Sequence, residues 1–164
     1  IIFESTVYPG VTENVCIPLL EKNSNLLEGK NFFVGYSPER VNPGDKSHSL
    51  DKINKILAYP HEKYKKEITE VYSNLGKKII HSKNIKEAET AKVIENIQRD
   101  VNIGLINEIY LASKKLKLNF KNIMSLASTK WNFMSFNPGL VGGHCLPVDP
   151  YYFSYICRKK KIQH

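Results

Sequence analysis

The sequence has 164 residues, with 24 Lys or Arg against 16 Asp or Glu, a net charge of +8 and an isoelectric point near 9.3. Hydrophobic residues make up 41%, enough for a packed core, which excludes a largely disordered chain. No apolar run approaches the roughly 18–20 residues needed to span a bilayer, so an integral membrane protein is excluded and no membrane partner is expected.

The first residues, Ile1 to Gly10, carry no basic leader and no cleavage site, and they read as a strand entered midway. On that basis the sequence is expected to be a fragment of a longer polypeptide. The three cysteines, Cys16, Cys145 and Cys157, are odd in number and form no Cys-x-x-Cys pair. Neither a disulfide framework nor a zinc ribbon is supported, no metal is expected, and a reducing, cytoplasmic setting fits. The positive charge is carried by 21 Lys and 3 Arg, scattered along the chain. Nucleic-acid recognition favours the Arg fork and a clustered face, so the charge reads as a solvated surface without a nucleic-acid partner.

In chain order, Ile1-Ile2-Phe3 is a short apolar strand ending at Glu4-Ser5-Thr6 and a Pro9-Gly10 turn. Thr12, Glu13 and the apolar spacing of Val15, Ile17, Leu19 and Leu20 predict a helix. Asn31 to Tyr36 reads as a buried strand closed by Ser37-Pro38, and Asn42-Pro43-Gly44-Asp45 as a turn within a polar loop. Lys55 to Tyr59 is a further strand, His61 to Leu75 a helix stopped by Gly76, and Lys77 to His81 a last short strand. Strands alternating with helices predict a parallel α/β sheet.

Near Ser82 the pattern changes. Ile85 to Leu118 contains no proline, and Ile94, Ile97, Val101, Leu105, Ile109 and Ala112 recur at helical spacing. That predicts one helix of about 50 Å. A second helix is expected over Asn119 to Ser128, a loop over Trp131 to Pro150, and a final helix opening near Tyr151 and ending in the basic tail Arg158 to Lys161. The predicted organisation is α/β over residues 1–82 and all-α over residues 83–164.

The densest candidate for chemistry is Asn137-Pro138-Gly139-Leu140-Val141-Gly142-Gly143-His144-Cys145-Leu146-Pro147-Val148-Asp149. Glycines let backbone amides approach a ligand, and a thiol following such a loop can be activated as a nucleophile. Asp149 lies one helical turn beyond Cys145. The alternative left open by spacing is a small buried thiol in a chain reversal. Lys92 and Asn96 are four residues apart on the long helix and, with Arg99, lie opposite its apolar stripe, either as a functional pair or as the wet face of a surface helix. Glu39 and Thr6 each follow a predicted strand, where α/β sheets take ligands, although a loop carboxylate and a turn-capping Thr read the same way.

Glu4-Ser5-Thr6-Val7, Gly35 to Gly44, Glu89-Thr90-Ala91-Lys92-Val93-Ile94-Glu95-Asn96, and Gly142-Gly143-His144-Cys145 with Asp149 occur in that order. Together they resemble the nucleotide-sugar 6-dehydrogenases, the UDP-glucose and GDP-mannose dehydrogenase family, and most of all the branch acting on UDP-N-acetylhexosamines. The resemblance covers nearly the whole chain. It implies a fold: residues 1–82 as the C-terminal part of a Rossmann-like NAD-binding domain, and residues 83–164 as a helical central domain carrying the cysteine loop. No Gly-x-Gly-x-x-Gly motif is present, so half the expected cofactor site lies outside the sequence. A homodimer through the long helix is also implied.

The resemblance further implies NAD as cofactor, a UDP-sugar as substrate and a four-electron oxidation of its C6 hydroxyl. Cys145 would be the nucleophile and Lys92 with Asn96 the oxyanion-stabilising pair. Glu39 would be the base, and Thr6 and Asp149 the groups orienting water. Ser5, Thr6 and Glu39 would line the cofactor site, while Phe136, Asn137, Gly139, Gly142 and Gly143 would contact the sugar nucleotide. UDP-glucose enzymes carry a second Glu four residues after the first, where this chain has Pro43, so that residue's role does not transfer.

Four rivals stand beside this reading. They are a UDP-glucose 6-dehydrogenase, a one-step hydroxyacid-type dehydrogenase needing no thiol, a polyanion binder, and an inactive dimerisation or substrate-binding module formed by the isolated chain.

Overall fold

The computed structural model describes all residues except Asn42, Pro43, Lys46, Lys77 and His164. The turn expected at Asn42-Pro43 and the first residue of the strand expected at Lys77 lie outside the described residues. The chain divides into two compact units, one formed by Ile1–Ile94 with Tyr151–His164 and the other by Glu95–Pro150.

The first unit is built on a four-stranded sheet in the order β1 (Ile2–Phe3), β2 (Gly35–Tyr36), β3 (Asn54–Ala58) and β4 (Lys78–Ser82). β1 pairs parallel with β2, and β3 parallel with β4. The α/β expectation holds, with one antiparallel pair, β2 against β3 at Tyr36 and Ala58. The physical reason lies in the connection. A parallel pair needs a crossover, commonly a helix, and among the described residues the segment between β2 and β3 holds only the 3₁₀ turn Leu50–Lys52. β2 is also shorter than the run Asn31 to Tyr36 predicted, because its ladder to β1 has only the pairs Ile2 with Gly35 and Phe3 with Tyr36.

Strand alternation sends side chains to two layers. Tyr36 and Ala58 pack with Ile85 and Ala88, joined by Phe3, Val7 and Ile56. On the other face Leu57 and Tyr59 pack with Ile68 and Tyr72 of α2 (Lys65–Tyr72), joined by Ile2, Phe33, Tyr64 and Ile79. Each fully buried aliphatic side chain here contributes about 1.5–3 kcal/mol. Gly76 follows α2 at φ +105°, where a Cβ would come within 3.0 Å of the Ile53 carbonyl oxygen, so a side chain is excluded.

The first helix begins as a π turn over Thr12–Cys16 and continues as α1 (Ile17–Ser24). Pro18 explains the widening. It cannot donate to the carbonyl one turn back, and its ring crowds that carbonyl, so the preceding turn opens.

α3 spans Ile85–Lys115, three residues shorter than the predicted run. Lys117 adopts φ +55° and the Leu118 amide reaches back to the Ser113 carbonyl, closing the helix with a left-handed cap made by Lys instead of Gly. α4 (Phe120–Ala127) starts as expected, with Asn119 as N-cap accepting from the Asn122 amide at 3.2 Å. α5 spans Asp149–Lys159, two residues earlier than the aromatic run suggested.

Within the second unit, α3 buries the face carrying Ile106 and Ser113, while Val101 and Leu105 of the apolar stripe are 62% and 55% exposed. Within the single chain the stripe is therefore exposed at Ile94, Val101 and Leu105 and half-buried at Ile97 and Ile109, while a neighbouring face through Ile103, Ile106 and Tyr110 packs. Among the described residues, no helix is long and apolar enough to cross a membrane.

Candidate active site

The first unit assembles its candidate residues along one sheet edge. β1 and β2 run parallel, and their bonding continues past the strands: the Ser37 amide donates to the Phe3 carbonyl at 2.9 Å and the Glu39 amide to the Glu4 carbonyl at 3.2 Å. Glu4-Ser5-Thr6 and Ser37-Pro38-Glu39 therefore lie side by side at the carboxyl ends of two parallel strands, where such sheets bind ligands. Tyr36 fixes the turn from below, its hydroxyl donating to the Ser5 carbonyl at 3.2 Å. Ser5 is exposed and Thr6 half-buried.

Glu39 is half-exposed, and its Oε1 accepts from the Arg40 amide at 2.7 Å and the Val41 amide at 2.6 Å. Its Oε2 lies 3.6 Å from Lys55 Nζ. Burial works against the charged carboxylate, but the Val41 amide, the Lys55 ammonium and the Arg40 amide outweigh it and hold the pKa below the usual glutamate value.

Lys92 is half-buried on α3. Three residues earlier on the same helix, Glu89 is fully buried and receives the Gly10 amide at 2.5 Å, the Thr12 amide at 3.0 Å and the Thr12 hydroxyl at 2.6 Å. One carboxylate thus satisfies the donors that open the π turn. Gly10 sits at φ +94°, and a Cβ there would fall 2.6 Å from Asn14 Nδ2.

The second unit holds the thiol. Of the three cysteines, Cys16 is half-buried, Cys157 buried and Cys145 exposed, and all are free thiols. The reading of Cys145 as a buried hydrophobe is therefore set aside. The Cys145 carbonyl accepts from the Val148 amide at 3.0 Å and the Asp149 amide at 2.9 Å, so the thiol stands one turn ahead of α5. Asp149 is buried, and its Oδ2 receives Nδ2 of Asn96 at 2.5 Å.

Phe136 is half-buried, and Asn137, Gly139, Gly142 and Gly143 are exposed. Asn107 of α3 clips the loop with two bonds of 2.8 Å, donating from Nδ2 to the Gly139 carbonyl and accepting at Oδ1 from the Gly139 amide. A Cβ at Gly139, Gly142 or Gly143 would meet nothing within 4 Å among the described residues, so their surroundings are open to a ligand. Gly143 also has φ +82°, which favours glycine on its own account. Cavities of about 920 Å³ and 550 Å³ flank this loop, Asn137 lining both, with Tyr110, Phe120 and Lys121 around the larger.

Lys55, Glu89 and Asn107 were given no role from the sequence. Two of them left a signal. Lys55 is a charged residue at the head of the apolar strand predicted over Lys55 to Tyr59, and Glu89 stands one turn before Lys92 in the stretch Glu89 to Asn96.

Residues 86–164 match the central domain, and residues 1–76 the NAD binding domain, of the UDP-glucose/GDP-mannose dehydrogenase family. This chain belongs to that family, and its residues 1–76 are part of an NAD-binding domain. It is 51% identical over 156 residues to Protein CapL of Staphylococcus aureus, covering 94% of this chain and 37% of that protein. It is 49% identical over 160 residues to the UDP-N-acetyl-D-glucosamine 6-dehydrogenase of Pseudomonas aeruginosa, with the same coverage of 94% and 37%. Its fold superposes on the structure of a UDP-D-ManNAc dehydrogenase from Pyrococcus horikoshii with a TM-score of 0.87 at 37% identity, covering 99% of this chain and 38% of that one. The chain thus spans a little over a third of the length of the relatives it matches.

Proposed function

We propose that this chain carries catalytic residues of an NAD-dependent UDP-N-acetylhexosamine 6-dehydrogenase, which oxidises the sugar C6 hydroxyl to a carboxylate. The observation that carries the reading is the exposed Cys145 thiol one turn before Asp149, whose carboxylate holds the Asn96 amide. The sheet edge at Ser5, Thr6 and Glu39 suits the cofactor, since two parallel strands end there beside an exposed turn. The glycine turn that would cradle the pyrophosphate is absent from this sequence, so these residues supply one side of the cofactor site.

NAD, when bound, would accept the hydride lost from C6 in two successive oxidations, first of the alcohol, whose hydroxyl proton passes by way of Lys92 to solvent, and then of the thiohemiacetal. An aldehyde offers no usable hydride until a nucleophile adds. The Cys145 thiolate forms a C–S bond to C6, and the carbonyl electron pair moves to oxygen. Lys92 and Asn96 donate to that oxyanion. An amide NH₂ has two protons, so Asn96 can serve Asp149 with one and the oxyanion with the other.

After the second oxidation C6 is a thioester. Glu39 takes a proton from water, oriented by Thr6 and Asp149, as the water oxygen bonds to C6. The C–S bond then breaks, Cys145 leaves as thiolate and the uronate is released. Phe136, Asn137 and the glycines at 139, 142 and 143 hold the sugar nucleotide beside the thiol. We assign residues 1–82 to the cofactor domain and 83–164 to a central domain that pairs two copies through the exposed stripe of α3. A cytoplasmic setting keeps the exposed thiol reduced.

The test supplies UDP-GlcNAc, UDP-GalNAc and UDP-glucose to the full-length protein and counts NADH per sugar. Two per acetamido sugar, with carboxylate formation lost in Cys145→Ser, is the expected result. One NADH per sugar, or none, overturns the reading, and a preference for UDP-glucose overturns its choice of substrate.

A further inference from the structure

The second residue of β3 is a lysine whose side chain is 2% exposed. It faces the α2 layer, since Leu57 and Tyr59, two and four residues on, pack there. Its Nζ lies 3.3 Å from Glu4 Oε1 and 3.6 Å from Glu39 Oε2, and 5.7 Å from the centre of the Tyr72 ring. Both carboxylates are half-exposed, at 48% and 51%.

The cation is thus buried below a sheet edge and the anions stand above it. The antiparallel run of β3 produces this: Ala58 pairs with Tyr36, and that direction carries the earlier residues of β3 past the end of β2, which brings Lys55 to Glu39 and Glu4. A buried ammonium without partners would be costly, and here two carboxylates anchor it. Tyr72 completes the cluster by donating to Glu4 Oε1 at 2.9 Å.

We propose that Lys55 is a positioning residue for Glu39, a buried cation that fixes Oε2 while the Arg40 and Val41 amides fix Oε1, so that the carboxylate is held ionised and aimed before water arrives. This rests on the reading of Glu39 as the base for thioester hydrolysis. Two anchored oxygens leave the carboxylate little freedom to rotate, and a base must be within hydrogen-bond reach of its water in one orientation. Glu4 is the competing partner, drawing part of the lysine's charge. Among the described residues, the charged and titratable groups facing Glu39 include Lys55 from β3, Glu4 from the end of β1 and Tyr72 from α2. The Arg40 guanidinium donates from Nη1 to the Asn54 carbonyl at 3.0 Å.

The experiment compares Lys55→Met, Lys55→Arg, Glu4→Gln and Glu39→Gln in the full-length enzyme, reading the kcat pH profile and, by intact mass, the sugar thioester on Cys145. Lys55→Met matches the lysine stem in volume and leaves no buried charge, because the remaining carboxylates reach solvent. It should accumulate the thioester and move the acid limb up by about one pH unit, with KM for both substrates within twofold of wild type. Lys55→Arg should restore the limb. Glu4→Gln should move it the other way, and this variant decides the matter should Lys55→Met fail to fold. An unmoved limb in the folded variants, while Glu39→Gln traps the thioester, overturns the role of Lys55 alone. Free hydrolysis in Glu39→Gln overturns the reading of Glu39 itself, and the role of Lys55 with it.

Discussion

Asn96 and Asp149 are bound amide to carboxylate at 2.5 Å, although 53 residues separate them in the chain. Asp149 is buried, and it opens the helix that follows the Cys145 turn. The pair therefore ties the orientation of a side chain on α3 to the turn that presents the thiol. Asp149→Asn keeps the size but can present an NH₂ group to the Asn96 amide. On the proposed role of Asn96, kcat should fall by roughly 10²–10³, the usual loss for one oxyanion donor, with KM for the proposed UDP-sugar substrate little changed. Steady-state kinetics check this, and a variant with wild-type kcat removes the pair from the mechanism.

Glu89 is the acceptor for three donors at the start of the π turn. Glu89→Ala leaves them buried without a partner and should lower unfolding stability by roughly 3 kcal/mol or more. Glu89→Gln keeps a carbonyl oxygen and should lose about half as much. Urea unfolding of the two variants beside wild type gives the order directly. Equal losses would show that burial of the side chain, and not its acceptors, holds the turn.

The Glu39 carboxyl sits below the usual glutamate value because the Val41 amide, the Lys55 ammonium and the Arg40 amide overcome the opposing effect of burial. A carboxylate lowered in the folded state adds stability above its unfolded pKa, about 4.3, and loses it as pH falls through the folded value. Wild type should therefore lose more stability than Glu39→Gln between about pH 5 and 3. Half exposure keeps the difference small. Parallel urea midpoints across that range would show that Glu39 is not stabilised in its charged form.

Much of this arrangement was legible in the sequence, for reasons that differ by element. Asn119 announces its own helix through an N-cap bond, and Gly76 its turn through a backbone angle few other residues adopt. The cysteine loop was visible because glycines and a thiol cluster locally. The antiparallel β3 was not, since strand direction depends on the connection and not on the residues of the strand. Nor were the bonds made by the other face of α3. Periodicity reports that a helix has an apolar side but not what its polar residues meet, and here Asn96 and Asn107 make long-range hydrogen bonds to Asp149 and Gly139. Lys117 closing α3 was equally hidden, because a left-handed lysine leaves no compositional mark.

Asn107 meets Gly139 through both halves of its amide, at 2.8 Å each. The clip holds a loop in which a Cβ added at Gly142 or Gly143 would meet nothing within 4 Å among the described residues. Asn107→Ala removes both bonds at an exposed loop. It should raise KM for the UDP-sugar about tenfold while kcat stays within twofold, the pattern of lost binding and not of lost chemistry. A parallel fall in kcat with KM unchanged would move Asn107 from holding the loop to shaping the transition state.

Val101 and Leu105 stand 62% and 55% exposed on α3, with Ile97 half-buried one turn before Val101. An apolar stripe left open on a helix of 31 residues is the surface on which the proposed pairing of two copies rests. Leu105→Glu places a charge in the middle of that stripe. Because Leu105 is exposed in the single chain, folding should be unaffected and the circular dichroism unchanged. Association should weaken by roughly 2 kcal/mol or more if the position is central to the interface, about thirtyfold or greater in dissociation constant. Sedimentation equilibrium of the full-length protein at micromolar concentration reads the effect. A wild-type protein that sediments as a monomer, or a Leu105→Glu dimer as tight as wild type, would leave the stripe outside the pairing surface.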